Sequence, residues 1–346
     1  MLPGRIRSEF PASVADMDDA TLADVGELEA LRRFLPLLPA GDATIVGPGD
    51  DAAVVRAPDG RFVVTTDTML EGADLRLDWS GWHDLGWKAV ASNLADIAAM
   101  GGVPTSLVVA LAVPRATRVA DLELFAEGLA DGIAAMAPGC GIVGGDLGTA
   151  ERVTIAVTAF GDLRGADAVL RSGARAGDRV CAVGTLGMSA TGLGRLLAAS
   201  DAAGGTLEPG AARRLAADDA TVRIHLAPTA PVAAGAALAA MGATAMLDVS
   251  DGLALDAARV ARASAARIAL DGAAVDALAA RLAIDRDAVL YGGEDHALLV
   301  TLPAGIDLPT EVEGAPLTEL GVVEAGEGVT LDGAPLEPRG WDPYRA

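Results

Sequence analysis

The chain has 346 residues, 51% of them apolar, with a formal net charge of −22. That length suggests two domains with sizeable cores, and so acidic a chain has no basic stripe for nucleic acid or an anionic membrane. Two cysteines, Cys140 and Cys181, exclude a disulfide framework, and neither a membrane-length apolar run nor a signal-type N-terminus is present, so a soluble cytoplasmic protein is expected.

In chain order, residues 1–20 read as a poorly ordered leader. Residues 21–38, TLADVGELEALRRFLPLL, read as an amphipathic helix with Thr21 as N-cap. A strand is expected over 61–70. A helix follows over 84–102, ended by Gly101 and Gly102. Residues 106–114 read as a strand closed by Pro114, 119–136 as a helix and 152–163 as a strand. The turn-rich stretch 164–178 is the expected domain boundary, separating a domain over 21–163 from one over 164–346. The second half opens with a strand at 179–184 and a Gly-Met-Ser turn into a helix. A loop and surface helix fall at 200–220 and a helix at 231–243. Strand, loop, helix and strand occupy 245–271, and a further strand 296–303. Without strict βαβ alternation, the pattern favours α+β over a doubly wound sheet.

Acids recur at the ends of apolar segments, beside glycine or hydroxyl residues. They are Asp50 and Asp51 in GPGDDAAVV, Asp67 in VVTTDTML, Asp96 in SNLADIAAMGG and Asp146 in IVGGDLGT. The second half adds Asp248 and Asp251 in LDVSDGL, and Glu294 and Asp295 in YGGEDHALLV. Each has a bland reading. Asp50, Asp51 and Asp146 can be turn acids. Lys88, Ser92 and Asp96, at i, i+4 and i+8, can be a solvent stripe. Ser250 or Asp251 can N-cap a helix, and Glu294 can begin an exposed hairpin. Together they suit Mg²⁺, which takes carboxylates, hydroxyls and waters and bridges to substrate phosphates. Two like charges 4 Å apart repel by about 4 kcal/mol at an effective dielectric near 20, so carboxylates facing a polyphosphate need cations between them. Lys88 is the single lysine.

Other chemistries fit less well. There is no P-loop, no dinucleotide fingerprint in GTLGMSATG and no G-x-S-x-G elbow. His83, His225 and His296 show no zinc spacing, and His83 beside Trp82 reads as structural. Cys140 and Cys181 read as core residues.

The segments GDDAAV (49–54), TTDTMLEG (65–72), GWKAVASNLADIAAMGGVP (86–104), GGDL (144–147), LRSGARAGD (170–178), LDVSDGL (247–253), GGEDHALL (292–299) and GWDPY (340–344) occur in this order. Together they resemble the thiamine-monophosphate kinase family, within the aminoimidazole ribonucleotide synthetase-like ATP-binding superfamily. The resemblance covers roughly residues 21–346. It implies a two-domain α+β fold and a homodimer paired through N-terminal sheets. It also implies phosphorylation of thiamine monophosphate by ATP, with several Mg²⁺ ions and no phosphoenzyme.

Carried over position by position, the resemblance makes Asp51, Thr65, Thr66, Asp67, Asp96, Asp146, Asp248 and Asp251 metal ligands. It gives Gly145, Asp146, Arg171 and Ser250 to ATP. Glu294 and Trp341 become substrate contacts, together with Asp74, which stands where the family often has histidine. An acid there would repel a substrate phosphate, so either Arg76 takes that phosphate or the loop is displaced. The alternatives are another ATP-dependent synthetase of the superfamily and a non-catalytic nucleotide-binding protein.

Overall fold

A computed structural model describes residues 19–48 and 52–341. The expectations for residues 1–18, for Asp50 and Asp51, and for most of GWDPY lie outside the described residues. The first half runs α1 (Leu22–Val25), α2 (Glu27–Phe34), β1 (Thr44–Val46), β2 (Val54–Val55), β3 (Val63–Leu70), α3 (Trp82–Ala99), β4 (Val103–Val113), α4 (Val119–Met136), β5 (Gly141–Thr149) and β6 (Thr154–Asp162). Strands β3, β6, β4 and β5 form a four-stranded sheet in that order, antiparallel except for the β4–β5 pair.

The second half runs β7 (Arg179–Val183), α5 (Met188–Ala202), α6 (Ala211–Asp218), α7 (Ala220–Leu226), α8 (Val232–Ala240), β8 (Ala245–Val249), α9 (Leu253–Ser264), β9 (Arg267–Leu270), α10 (Gly272–Leu282), α11 (Arg286–Tyr291), β10 (Ala297–Leu302), β11 (Glu311–Val312), β12 (Ala315–Glu324), β13 (Gly328–Leu331) and β14 (Ala334–Pro335). Its large sheet has the order β14-β13-β9-β12-β7-β10-β8, with β11 paired to β12. The architecture is α+β, as expected.

Helix α3 organises the molecule. It packs on β3 and β6 of the first sheet and also against α8, β8 and β10 of the second half. One apolar cluster accordingly holds Leu94 and Ile97 of α3, Leu107 of β4 and Leu298 and Val300 of β10. On its other flank α3 meets α4 unusually closely, because glycines stand at the crossing. A Cβ on Gly128 would lie 2.0 Å from the His83 carbonyl oxygen, and one on Gly86 would lie 2.2 Å from that of Phe125.

Three local expectations are corrected. The helix expected over 21–38 is broken at Gly26, whose φ of 78° leaves the helical region. It ends in a 3₁₀ turn, Leu35–Leu37, that contains Pro36. Asp146, open to a reading as a turn acid, lies instead in the edge strand β5. Glycine there permits close pairing: a Cβ on Gly145 would meet the Val109 carbonyl oxygen at 2.1 Å. The hairpin expected to begin at Glu294 is instead a strained connection into β10, a central strand buried along its whole length.

Candidate active site

Strand alternation divides the residues of VVTTDTML between two faces. Thr65 and Asp67 point toward α3, where Thr65 Oγ1 donates to Asp96 Oδ2 at 2.6 Å. Thr66 faces the other way and donates to the Val157 carbonyl at 2.9 Å. The register row Thr68, Ala156, Ala110, Asp146 runs along that other, solvent-facing side. Asp146 therefore lies on the opposite sheet face from Asp67, although the sequence places both in one metal set.

On the α3 side, carboxylates crowd. Asp67 keeps accessible surface, yet burial, together with the Asp248 and Asp251 charges, raises its carboxyl above the usual range, partly offset by His296. Burial, then the charges of Asp248 and Asp67, push Asp96 up to about 7 despite its bond from Thr65. His296, buried, places Nδ1 3.6 Å from Asp248 Oδ2. Burial opposes its charged form, but Asp248 and Glu294 overcome that and raise it.

Among the described residues, neither nitrogen of His296 has a hydrogen-bond partner, and no three acids, histidines or cysteines stand close enough to hold a metal by themselves. The donors nevertheless fit a hard divalent cation. They are oxygens, their raised carboxyls lack counter-charge, and Mg²⁺ completes its shell with waters and phosphate oxygens.

Asp251 is already paired. Arg259 reaches its Oδ2 at 2.6 Å and the buried Asp256 at 2.5 Å. The tail returns here, with Trp341 N donating to the Asp251 carbonyl at 3.0 Å. The Trp341 side chain stays exposed. Ser250 accepts the Glu294 backbone N–H at 2.9 Å. Arg171 is exposed.

Glu294 and Asp74 have protein partners that the sequence did not indicate. Glu294 Oε1 lies 3.0 Å from Lys88 Nζ, and Oε2 lies 3.4 Å from His225 Nδ1. Burial raises its carboxyl, but Lys88 and His225 outweigh that and hold it below the usual range. Asp74 accepts from the Leu70 backbone N–H at 2.9 Å, closing its own turn. Arg76, the suggested phosphate contact, is tied to Asp78 at 2.7 Å and lies over the Trp79 ring at 4.3 Å.

Residues missed by sequence reasoning are Lys88, Ser189, His225 and His296. The Lys88–Ser92–Asp96 stripe was visible but has no intrinsic side. Packing against both sheets turns Lys88 inward.

Two packed α+β halves bring acids of both together beside the shared helix, and comparison with known proteins places this architecture among AIR synthase related proteins. The family of AIR synthase related protein, N-terminal domain, matches residues 49–163. Thiamine-monophosphate kinase of Mycobacterium tuberculosis is 42% identical over 300 residues, 83% of this chain and 85% of that protein. The crystal structure of thiamine-monophosphate kinase from Stenotrophomonas maltophilia K279a superposes with a TM-score of 0.73 at 32% identity, covering 89% of this chain and 97% of that one. AaThiL complexed with AMPPCP and TMP superposes with a TM-score of 0.69 at 30% identity, covering 96% and 99%. The chain belongs to the thiamine-monophosphate kinase family.

Proposed function

We infer that the chain transfers the γ-phosphate of ATP to thiamine monophosphate, giving thiamine diphosphate and ADP. The observation that carries this reading is the crowd of carboxylates around Asp96, where burial and neighbouring charge raise both Asp67 and Asp96 and Asp248 stands beside them, in a fold shared with AaThiL complexed with AMPPCP and TMP. Asp67, Asp96, Asp248, Asp251 and Thr65 would hold Mg²⁺; Thr66 and Asp146, on the far face of the first sheet, could serve only a separate ion, and Asp51 would join from outside the described residues. Bound Mg²⁺ would neutralise the phosphate oxygens on both sides of the transfer.

A phosphate nucleophile is already anionic at neutral pH and needs no general base, so positioning carries the reaction. Arg171 offers a planar fork for ATP phosphate oxygens, and Gly145 and Ser250 let backbone approach the nucleotide. Glu294 and Trp341 take the thiamine moiety. Asp74, bonded within its own turn, would line that pocket without meeting the phosphate directly.

The working unit would be a cytoplasmic homodimer. The β3–β6 part of the first sheet exposes Val64, 53% accessible, and Leu70. Beside them Phe62, 58% accessible, packs on Phe160 with ring centroids 5.7 Å apart.

The test is a product assay with ATP, Mg²⁺ and thiamine monophosphate. Metal-dependent thiamine diphosphate and ADP are expected from the wild type and none from Asp67→Asn. ATP binding without that product would favour another acceptor or a non-catalytic role.

A further inference from the structure

Lys88, the only lysine in the chain, is 4% exposed. A buried ammonium is costly by several kcal/mol unless it is paired, and its partner at 3.0 Å is Glu294. The second Glu294 oxygen faces His225 Nδ1, which also lies 3.0 Å from Ser189 Oγ. Burial and the Lys88 charge push His225 down to about 4, so this imidazole is neutral at working pH and acts as a dipole. One carboxylate oxygen is thus held by Lys88 while the other faces the imidazole, yet the Glu294 side chain remains 38% accessible. An acid serving only to neutralise Lys88 would be buried with it. This one keeps an exposed edge.

The backbone supports the same reading. Glu294 and His296 have φ of 63° and 54°, a left-handed conformation costing roughly 1–2 kcal/mol per residue. Asp295 between them clamps the segment by accepting from Thr185 Oγ1 at 3.0 Å, Met188 N at 3.1 Å and Ser189 N at 3.2 Å. Strain retained in a clamped segment is characteristic of functional positions. It turns Glu294 toward Lys88 instead of along the strand.

We propose that Lys88 is a positioning residue for the acceptor substrate. Its ammonium fixes the Glu294 carboxylate and cancels its charge, leaving an oriented acceptor edge for the cationic heteroaromatic part of the substrate without repelling the phosphates nearby. The proposal rests on the functional reading above. It assigns Lys88 to the acceptor side of the reaction and not to the nucleotide.

The experiment is steady-state kinetics on the full chain with thiamine monophosphate and ATP varied separately, alongside thermal unfolding. Lys88→Met is expected to raise the KM for thiamine monophosphate about tenfold or more while that for ATP stays within about twofold, and Lys88→Arg to restore part of the loss. Lys88→Met/Glu294→Gln removes both charges, so it should regain stability lost by Lys88→Met without regaining affinity. Its KM should be no worse than that of Lys88→Met, because coupled residues are non-additive. An unchanged thiamine monophosphate KM, an equal loss for ATP, or additive losses would overturn the proposal. Glu294→Gln is measured beside them, and if Lys88→Met does not fold, the double variant is compared with Glu294→Gln: a thiamine monophosphate KM raised well beyond that of Glu294→Gln overturns the proposal, because Lys88 would then act other than through Glu294. Wild type that makes no thiamine diphosphate removes the functional reading, and this proposal with it, before any variant is compared. Wild-type turnover with unaffected variants removes this proposal alone.

Discussion

Asp96 shows what one buried carboxylate among like charges costs in stability. Burial, with Asp248 and Asp67 beside it, carries it to about 7 from an ordinary value of 3.8. Between those values the folded chain binds more protons at this site than the unfolded chain does. Metal-free stability therefore falls as pH rises through that window. Asp256 and Asp295, each pushed to about 6 by burial, act in the same direction. His225, pushed down to about 4 by burial and Lys88, acts oppositely as pH falls below its ordinary value. The difference between wild type and Asp96→Asn isolates the one site. In metal-free buffer Asp96→Asn should match wild type only at a pH below the ordinary value of 3.8 and melt a few degrees higher at a pH above about 7. Its kcat should fall by about 100-fold or more. Melting curves at the two pH values check the first point, and a lower melting temperature at the higher pH would remove Asp96 from the uncompensated cluster.

The α3–α4 pair carries the next prediction. Alanine is the better helix former by about 1 kcal/mol, so Gly128→Ala would stabilise an isolated α4. In the folded chain its Cβ would lie 2.0 Å from the His83 carbonyl oxygen, and backbone cannot yield as a flexible side chain does. Overpacking of this kind costs about 1–3 kcal/mol, so the sign reverses and the variant should melt lower. Turnover per folded molecule should also fall, since α3 carries Lys88 and Asp96. A rise in melting temperature would show that the two helices can separate freely.

At the scale of the whole molecule, the solvent face of the first sheet sets the expected assembly. Val64→Asp places a charge amid Leu70, Phe62 and Phe160, on a surface already exposed in the monomer. It should leave the fold intact, because a solvated acid on an exposed strand face costs the monomer little. Sedimentation should show wild type as a dimer and Val64→Asp shifted to monomer. A dimer of undiminished affinity would place the interface elsewhere. Among the described residues no helix is long and apolar enough to cross a membrane.

Much of this was legible in the residues themselves. Helix α4 falls on its expected bounds, because a 3.6-residue apolar period over 18 residues is a local property. The acids beside glycines suggested a cation and phosphate site for an equally local reason. Lone carboxylates at the ends of apolar runs need a partner, and the chain has one lysine to give them. Strand β5 was hidden because its glycines read as turn residues until a neighbouring strand comes close enough to need them. Only the tertiary structure decided that Thr65 and Thr66 face opposite ways from the cleft, that Asp146 lies across the sheet from Asp67, and that Asp74 closes its own turn. Only it decided that Lys88 meets Glu294 across more than 200 positions of sequence. Such a pair leaves no period or spacing in the chain. It exists because two sheets pack on one helix and a clamped left-handed segment turns a glutamate back toward it.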